Sequence, residues 1–137
     1  MSNINDFIIE KGVLTKYLGN DSEVVIPESV SSIGEEAFFD CTSLMRVELP
    51  SSVTSIGQSA FLHCESLESL NIPNKVASIL HDTFLGCTSL ARVDIPRSVT
   101  EIDRGAFDGC DKLVIKGYAG SYAEKYANEN GIPFEAI

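Results

Sequence analysis

The sequence predicts an α/β solenoid in which short strands from successive turns of the chain pair in a parallel β-sheet. The main observation is a 23-residue unit that runs four times without a gap from Ser22 to Leu113. A fixed period of this length is typical of one supersecondary unit stacked on copies of itself. The second observation is that 44% of the 137 residues are hydrophobic, which is enough for one continuous core.

Each repeat is expected to open with one brief strand. Two apolar residues alternate just before a proline that is present in every copy, as Val47 and Leu49 do before Pro50. Alternation with a period of two indicates a strand with one buried face, and proline ends the strand because it has no amide hydrogen to donate. Val53 and Ile56 follow, with a spacing that can turn the chain back under the strand.

The second half of each repeat carries phenylalanine, cysteine and leucine three residues apart, as in Phe61, Cys64 and Leu67. This spacing predicts one stripe of a short helix or helical turn. Burial of the apolar side chains of one repeat does not offset the entropy lost by ordering its 23 residues. A single repeat is therefore not expected to fold, and the copies must stack with equivalent residues in contact.

The ends of the stack are expected to be closed by caps. Before the first repeat, two apolar runs within residues 6–18 flank a turn that contains Gly12, which favours a β-hairpin. The chain is then a single domain, residues 1–137, with an N-terminal cap at 1–21, the four repeats at 22–113 and a C-terminal strand and helix cap at 114–137.

The C-terminal cap is expected to begin with a last, shortened strand at Val114 and Ile115. Ser121 and Glu124 then have the spacing of a capping box, in which a hydroxyl and a carboxylate satisfy free amides of the first helical turn. The helix is expected to run to about Asn130, before a glycine and a proline.

The residues of the second repeat carry a family resemblance. The string LPSSVTSIGQSAFLHCESL at residues 49–67 resembles the BspA-type leucine-rich repeat, and the tail from Gly117 to Phe134 resembles the closing cap of its bacterial members. The resemblance implies a right-handed leucine-rich-repeat solenoid, usually on secreted or cell-surface proteins that bind other proteins, host matrix or neighbouring cells. It does not imply catalysis. Leu80 and Asp103 replace a glycine of the pattern, which affects local turn geometry.

The cellular location has two open interpretations. No apolar stretch is long enough to cross a membrane, so membrane insertion is not expected. The segment Met1–Asp6 lacks the basic, hydrophobic and small-residue zones of a signal peptide. The resemblance favours a secreted or cell-surface protein whose leader is not in this sequence, and a cytoplasmic protein is the alternative.

Acidic residues are concentrated in the second half of the repeats. The net charge is −10, and between the repeat isoleucine and the residue after cysteine eight acids accompany one base, Arg104. The acids are Glu35, Glu36, Asp40, Glu65, Asp82, Asp103, Asp108 and Asp111. This balance argues against nucleic-acid binding, which needs clustered lysine and arginine. Solvation is the simpler explanation of the charge.

The four cysteines share one repeat position, and they are Cys41, Cys64, Cys87 and Cys110. Stacked equivalents form a line with steps of about 5 Å, whereas zinc needs tetrahedral convergence, so no metal site is expected. Disulfides are marginal because in-register side chains point in parallel and leave the β-carbons too far apart. Buried free thiols fit the stripe without strain and are the favoured interpretation.

The sequence offers no catalytic constellation. His63 and His81 occupy different repeat phases, so both are expected to be surface residues rather than bases or ligands. A glycine-rich phosphate loop is also absent from the sequence. We therefore expect no catalytic residues, no metal, no cofactor and no enzymatic activity.

A functional site is expected on the outward side of the strands, which we call the strand face. Its side chains form one column of Glu23, Arg46, Ser69 and Arg92 and another of Val25, Glu48, Asn71 and Asp94. Uncharged residues separate like charges, which repel when directly stacked. Either this interleaving merely protects the sheet, or the mixed charges suit a polypeptide partner rather than a small molecule, which needs a concave apolar pocket.

The expected function is a non-enzymatic module that binds a protein through the strand face, and by resemblance the partner is a host or neighbouring-cell surface protein. Two alternatives stay open. One is a purely structural spacer of a larger surface protein, and the other is a glycan-binding module, for which Tyr118, Tyr122 and Tyr126 are available. No nucleic-acid partner is expected, and the protein is expected to be a monomer.

Overall fold

The computed structural model describes residues 4–137. Residues 1–3, which fall in the predicted N-terminal cap and in the segment without signal-peptide features, lie outside the described residues. A 3₁₀ turn at Ile4–Asp6 precedes the first strand. The other elements, in chain order, are β1 (Phe7–Glu10), β2 (Val13–Tyr17), β3 (Glu23–Val25), β4 (Ser32–Ile33), β5 (Arg46–Glu48), β6 (Ser55–Ile56), β7 (Ser69–Asn71), β8 (Ser78–Ile79), β9 (Arg92–Asp94), β10 (Glu101–Ile102), β11 (Val114–Gly117), α1 (Tyr122–Glu129) and β12 (Phe134–Ala136).

The first strands of the repeats form the predicted parallel sheet. β3, β5, β7, β9 and β11 pair in that order, and β12 joins β11 at one edge. Equivalent residues of successive repeats lie opposite each other, as Val24 does to Val47 and Leu70 to Val93. The middle residue of each strand points into the core, with Leu70 2% exposed and Val93 completely buried. The predicted parallel solenoid is confirmed.

Each repeat also contains a second strand, although only one brief strand per repeat was expected. β4, β6, β8 and β10 are each two residues long and end on the repeat isoleucine. β4 and β6 pair in parallel in one sheet, and β8 and β10 pair in another. Ile56 is 3% exposed, so these strands form a second wall of the core. Two residues are too few for a period of two to be recognised in the sequence.

The phenylalanine and cysteine stripe lies on a series of turns, which we call the arcs: residues 34–41, 57–64, 80–87 and 103–110. The spacing had predicted a short helix or a helical turn, and within the arcs there is no α-helix. Backbone φ becomes positive at intervals of four residues, for example 58° at Ser59 and 60° at His63. A left-handed residue interrupts a right-handed helix, so the arc remains a chain of separate turns.

Alternate backbone N–H groups of the arcs donate to the following coil. The Phe38 N–H donates to the Ala60 carbonyl at 2.8 Å, and the Phe61 N–H donates to the Thr83 carbonyl at 2.9 Å. The N–H groups between them close turns within the same arc, as the Cys64 N–H does on the Phe61 carbonyl at 3.1 Å. The arcs are therefore a third hydrogen-bonded wall of the solenoid.

The phenylalanine rings stack along the axis of the core. The ring centroids of Phe38 and Phe61 are 5.1 Å apart, those of Phe61 and Phe84 are 5.5 Å apart, and those of Phe84 and Phe107 are 5.2 Å apart. Tyr17 of β2 continues the stack at 5.3 Å from Phe38. Because such pairs add to the free energy gained by burying large rings, this column stabilises the contact between coils.

The N-terminal segment forms an antiparallel hairpin against the first coil. β1 pairs with β2, with an irregularity between Ile8 and Ile9, and β2 in turn pairs in parallel with β4. The Tyr17 N–H donates to the Ala37 carbonyl at 2.9 Å, and Leu14 is completely buried. The hairpin thus extends both the second-strand wall and the arc wall.

α1 begins with a modified capping box. The Ser121 hydroxyl accepts from the Glu124 N–H at 3.4 Å, as expected, but the Glu124 carboxylate accepts from the Gly120 N–H at 2.8 Å rather than from Ser121. The reason is that the Ser121 N–H already donates to the Tyr118 carbonyl at 3.1 Å. The helix ends at Glu129, one residue before the predicted limit.

The C-terminal strands differ from the prediction. β11 has four residues and is not shortened, and β12 was not predicted at all. Phe134 of β12 lies opposite Ile115 of β11, so the chain returns to the sheet after α1. Ala123 and Ala127 of α1 are completely buried and hold the helix against the core.

The four cysteines are free thiols. Cys64, Cys87 and Cys110 are buried, as predicted, but Cys41, which was expected to be buried as well, is only half-buried. Each buried Sγ donates to a phenylalanine carbonyl of the preceding coil, with distances of 3.0 Å for Cys64 to Phe38, 3.1 Å for Cys87 to Phe61 and 3.1 Å for Cys110 to Phe84. Burial also raises the pKa of the Cys64 thiol and raises those of Cys87 and Cys110 to about 12.

Replacing Gly86 by alanine is expected to destabilise the fold more than replacing Gly120. Both glycines have positive φ, 77° and 81°, where a side chain costs about 1–2 kcal/mol. An added β-carbon meets no atom within 4 Å at Gly120 but collides with the His63 ring at Gly86. Urea denaturation is expected to show a loss of about 1–2 kcal/mol for Gly120→Ala and a larger loss for Gly86→Ala.

The double variant His63→Ala, Gly86→Ala is the matched control for this comparison. Removing the ring removes the collision, so its loss of stability, measured against His63→Ala, is expected to approach that of Gly120→Ala. Equal losses for the two single glycine variants would contradict the contact between Gly86 and His63.

Alkaline pH is expected to destabilise the protein through its buried thiols. The folded pKa of Cys87 is about 12, above the ordinary value of about 8.5, so the unfolded state loses this proton first. The contribution of these thiols to stability is therefore constant below about pH 8 and falls as the pH rises toward the folded pKa, by about 1.4 kcal/mol per pH unit for each such thiol. Urea denaturation between pH 7 and 10.5 measures the slope.

The variant Cys64→Ala, Cys87→Ala is expected to show a flatter decline with pH than the unmodified protein. In the native protein at pH 8, a thiol reagent is expected to label the half-buried Cys41 first, and the other three only on unfolding. Rapid labelling of all four cysteines without unfolding would be incompatible with this arrangement.

Candidate functional site

The strand face brings both predicted columns onto one side of the solenoid. Period-two alternation turns the first and third residues of each strand outward while the middle residue is buried. The opposed pairs are Glu23 and Arg46, Arg46 and Ser69, Ser69 and Arg92, Val25 and Glu48, and Asn71 and Asp94. The eight predicted residues therefore form a single surface.

Arg46 is the centre of the charges in the first column. Its Nη1 lies 2.9 Å from Glu23 Oε2, and its Nη2 lies 3.5 Å from Glu68 Oε1. All three side chains are well exposed, so water screens these ion pairs and they add little to folding stability. Glu68 was missed because it stands one residue before β7, outside the predicted alternation.

The second column continues beyond the predicted residues. Asp94 Oδ1 lies 3.2 Å from Arg92 Nε on the same strand, and Asp94 is opposite Lys116 of β11. Lys116 Nζ lies 3.7 Å from Glu135 of β12. The sequence missed Lys116 because the coil that leads to it is one residue shorter than the repeats: Ile115 is opposite Val93, 22 residues earlier.

Glu48 and Val25 lie opposite each other at one end of the strand face. Within residues 4–137, the Glu48 carboxylate has no ion pair, and the neighbouring Val25 side chain is 64% exposed. An open depression of about 410 Å³ lies over them and is also bounded by Arg46, Asn71 and Arg92. The arrangement offers a carboxylate, an apolar contact and guanidinium groups on a rigid backbone.

The remaining polar candidates lie on the arcs. His63 and His81 are exposed, as predicted, and His81 Nδ1 is 3.5 Å from Asp82 Oδ2. In the part of the chain that the structure describes, no group of three or more histidine, cysteine or acidic residues could hold a metal ion. No helix between residues 4 and 137 is long and apolar enough to span a bilayer.

Comparison with known proteins identifies the repeat. The family model for the BspA type leucine rich repeat region matches residues 8–121 in six copies. A leucine rich cell surface protein from Faecalibacterium prausnitzii is 40% identical, with a TM-score of 0.70, over 85% of this chain and 30% of its own. A leucine-rich repeat protein from Bacteroides ovatus is 30% identical, with a TM-score of 0.66, over 86% of this chain and 35% of its own.

The similar structures differ in length from this chain. A leucine-rich repeat protein from Bacteroides capillosus is 27% identical, with a TM-score of 0.69, over 83% of this chain and 96% of its own. The chain spans about a third of the F. prausnitzii and B. ovatus proteins and nearly all of the B. capillosus protein. No curated protein matches the sequence.

Replacement by alanine is expected to lower the free energy of unfolding strongly at Leu70 and hardly at all at Ser69, the preceding residue of β7. Leu70 is 2% exposed, so Leu70→Ala leaves a cavity and is expected to cost about 2–5 kcal/mol of unfolding free energy. Ser69 points outward, and Ser69→Ala is expected to stay within about 0.5 kcal/mol of the unmodified protein. Urea denaturation of both variants measures the difference, and similar losses would show that the strand face also supports the fold.

Proposed function

Because this chain belongs to the BspA type leucine-rich repeat family, we propose that it is a non-enzymatic module that binds another protein through its strand face. The observation that carries the proposal is the combination of a rigid parallel sheet with an unpaired Glu48 carboxylate and an exposed Val25 at one end of the same column. Such a surface recognises a polypeptide better than a small molecule, since it is open and largely polar.

The charges of the strand face indicate the chemistry of the partner. Arg46 is already neutralised by Glu23 and Glu68, and Arg92 lies beside Asp94, whereas Glu48 lacks a cation among the described residues. A partner that presents lysine or arginine beside an apolar side chain would complement Glu48 and Val25 together. Because the ion pairs of the face are exposed, binding is expected to weaken with added salt.

Location and assembly are part of the same proposal. A secreted or cell-surface protein accords with the F. prausnitzii relative, which is a cell surface protein. We infer a right-handed, monomeric solenoid that is one domain over residues 1–137, with the segment 1–21, which contains the β1–β2 hairpin, and the segment 114–137 acting as caps. The support for the caps is that Tyr17 stacks on Phe38 at one end, while Tyr126 contacts Phe107 at the other.

A structural spacer is the second candidate function. The observation that favours it is that matching chains of about three times this length contain a similar module. A spacer holds flanking parts of a longer protein at a fixed distance, and its strand face has no partner. It is therefore distinguished from the binding module by the effect of strand-face substitutions.

The test of the proposed function is a variant in which Arg46, Glu48, Arg92 and Asp94 are all replaced by alanine. The net charge is unchanged. Arg46, Glu48 and Arg92 are exposed and Asp94 is half-buried outside the apolar core, so the fold is expected to stay intact, as checked by circular dichroism and urea denaturation. Affinity capture from the native extracellular environment, read out by mass spectrometry, is expected to lose the partner that the unmodified protein retains.

The control variant replaces four exposed charges away from both the strand face and the C-terminal end cleft, Glu28, Glu65, Lys75 and Lys125, by alanine. It makes the same balanced change in charge and is expected to keep the partner. Retention of the partner by both variants would overturn the strand face as the binding surface, and the absence of any partner for the unmodified protein would favour the spacer.

A further inference from the structure

A cleft at the C-terminal end of the solenoid lies apart from the strand face. It has a volume of about 500 Å³ and lies between the fourth arc and α1, which are in contact where the rings of Phe107 and Tyr126 meet. Phe107 and Gly109 line the arc side, and Tyr122, Tyr126 and Ile132 line the other side. This volume lies within the range of about 300–1,000 Å³ that is typical of ligand sites.

The arc side of the cleft carries two hydrogen-bond donors that lack acceptors. In the first three arcs, the N–H groups at the phenylalanine position and two residues later donate to the following coil. In the third arc, for example, the Phe84 N–H donates to the Ala106 carbonyl at 2.8 Å and the Gly86 N–H donates to the Asp108 carbonyl at 2.9 Å. The equivalent donors in the fourth arc belong to Phe107 and Gly109.

No described residue accepts from the Phe107 or Gly109 N–H. Since the arcs share one conformation, with φ of 77° at Gly86 and 83° at Gly109, these two groups point beyond the last coil and into the cleft. Phe107 is buried, and an unpaired backbone N–H shielded from water is unfavourable by a free energy comparable to a lost hydrogen bond. Gly109 is exposed, so its N–H is open to water or to a bound acceptor. At the end of the arc wall, two N–H groups in a fixed conformation are therefore able to donate hydrogen bonds to the carbonyl oxygens of another segment.

We propose that this cleft binds a short basic segment of a partner polypeptide, whose carbonyl oxygens accept from the N–H groups of Phe107 and Gly109. The first three arcs already make this type of contact within the protein. Each of them donates two N–H groups to two carbonyl oxygens of the next arc that are two residues apart in the chain, such as those of Ala60 and Leu62. The bound segment occupies the position of one further coil, by the logic of strand addition at an open edge.

The charges around the cleft select a basic segment rather than an anion. Asp108, Asp111 and Glu129 line the cleft against a single base, Arg104. Two backbone donors alone would also suit a carboxylate or a phosphate, but three carboxylates against one guanidinium repel an anion and attract lysine or arginine.

The aromatic side of the cleft supplies an apolar surface for the segment. The rings of Tyr122 and Tyr126 have centroids 6.5 Å apart and are only partly buried. The Tyr122 hydroxyl accepts from the Ile102 N–H at 3.3 Å, which fixes that ring against the last coil. The tyrosine faces can also receive the cationic side chains of a basic segment.

The first measurement is hydrogen exchange followed by nuclear magnetic resonance of the unliganded full chain. The amides of Phe107 and Gly109 are expected to exchange faster than those of Phe84 and Gly86, which are bonded to the next coil. Equal protection at both pairs of positions would show that the donors are already satisfied and would overturn the proposal.

The second measurement is a titration with the blocked peptide Ala-Lys-Ala-Lys-Ala, with Ala-Glu-Ala-Glu-Ala and sodium acetate as comparison ligands. The lysine peptide is expected to shift the amide resonances of Phe107 and Gly109 and to slow their exchange. Unchanged resonances at millimolar lysine peptide would overturn the proposal, and tighter binding of the acidic peptide or of acetate would replace it by an anion site.

The variant Asp108→Asn, Glu129→Gln tests the charge selection. It is expected to bind the lysine peptide roughly fivefold more weakly, since two exposed ion pairs are lost. The matched control Glu35→Gln, Glu65→Gln removes two exposed carboxylates outside the cleft and is expected to bind as the unmodified protein does. Equal weakening in both variants would show that only overall charge matters and would overturn a specific site. None of these outcomes depends on the strand face.

Discussion

Hydrogen bonds between backbone positions of neighbouring coils are the interaction on which the rest of the structure depends. On the strand wall the Glu68 N–H donates to the Met45 carbonyl, and on the second-strand wall the Thr54 N–H donates to the Ser31 carbonyl, both at 2.9 Å. The arcs add a third set. An insertion in one repeat would move a whole wall out of register, which explains why all four copies keep 23 residues. The ring stack and the buried thiols follow from this register.

The sequence was sufficient for the features that depend on local alternation and on the period. The strand before each proline, the buried middle residue and the stacked phenylalanines all belong to this group. The arcs could not be predicted because their left-handed positions in the second repeat are Ser59 and His63, which do not signal positive φ as glycine does. The second strands and β12 are too short for their pattern to stand out.

The residues of the candidate sites likewise include some that alternation in the sequence predicts and some that it does not. The strand-face columns follow from alternation, which assigns a side to every residue of a strand. The partners of those residues do not, because Glu68 lies outside its strand and Lys116 is reached through a shortened coil. The donors at Phe107 and Gly109 could not be predicted, because the sequence marks the fourth repeat as the last but does not show that arc N–H groups donate to the following arc.

The common direction of the arc hydrogen bonds gives the solenoid an electric polarity. Peptide dipoles that point the same way add, as they do along an α-helix, so the arc wall has a partly negative N-terminal end and a partly positive C-terminal end. The Lys16 ammonium lies 3.5 Å from the Glu36 carbonyl at the negative end, and Asp108 and Asp111 lie at the positive end. In an α-helix the macrodipole follows the chain, whereas here it lies along the solenoid axis, perpendicular to the local chain direction. Additional repeats would move its two ends farther apart without changing the partial charge at either end.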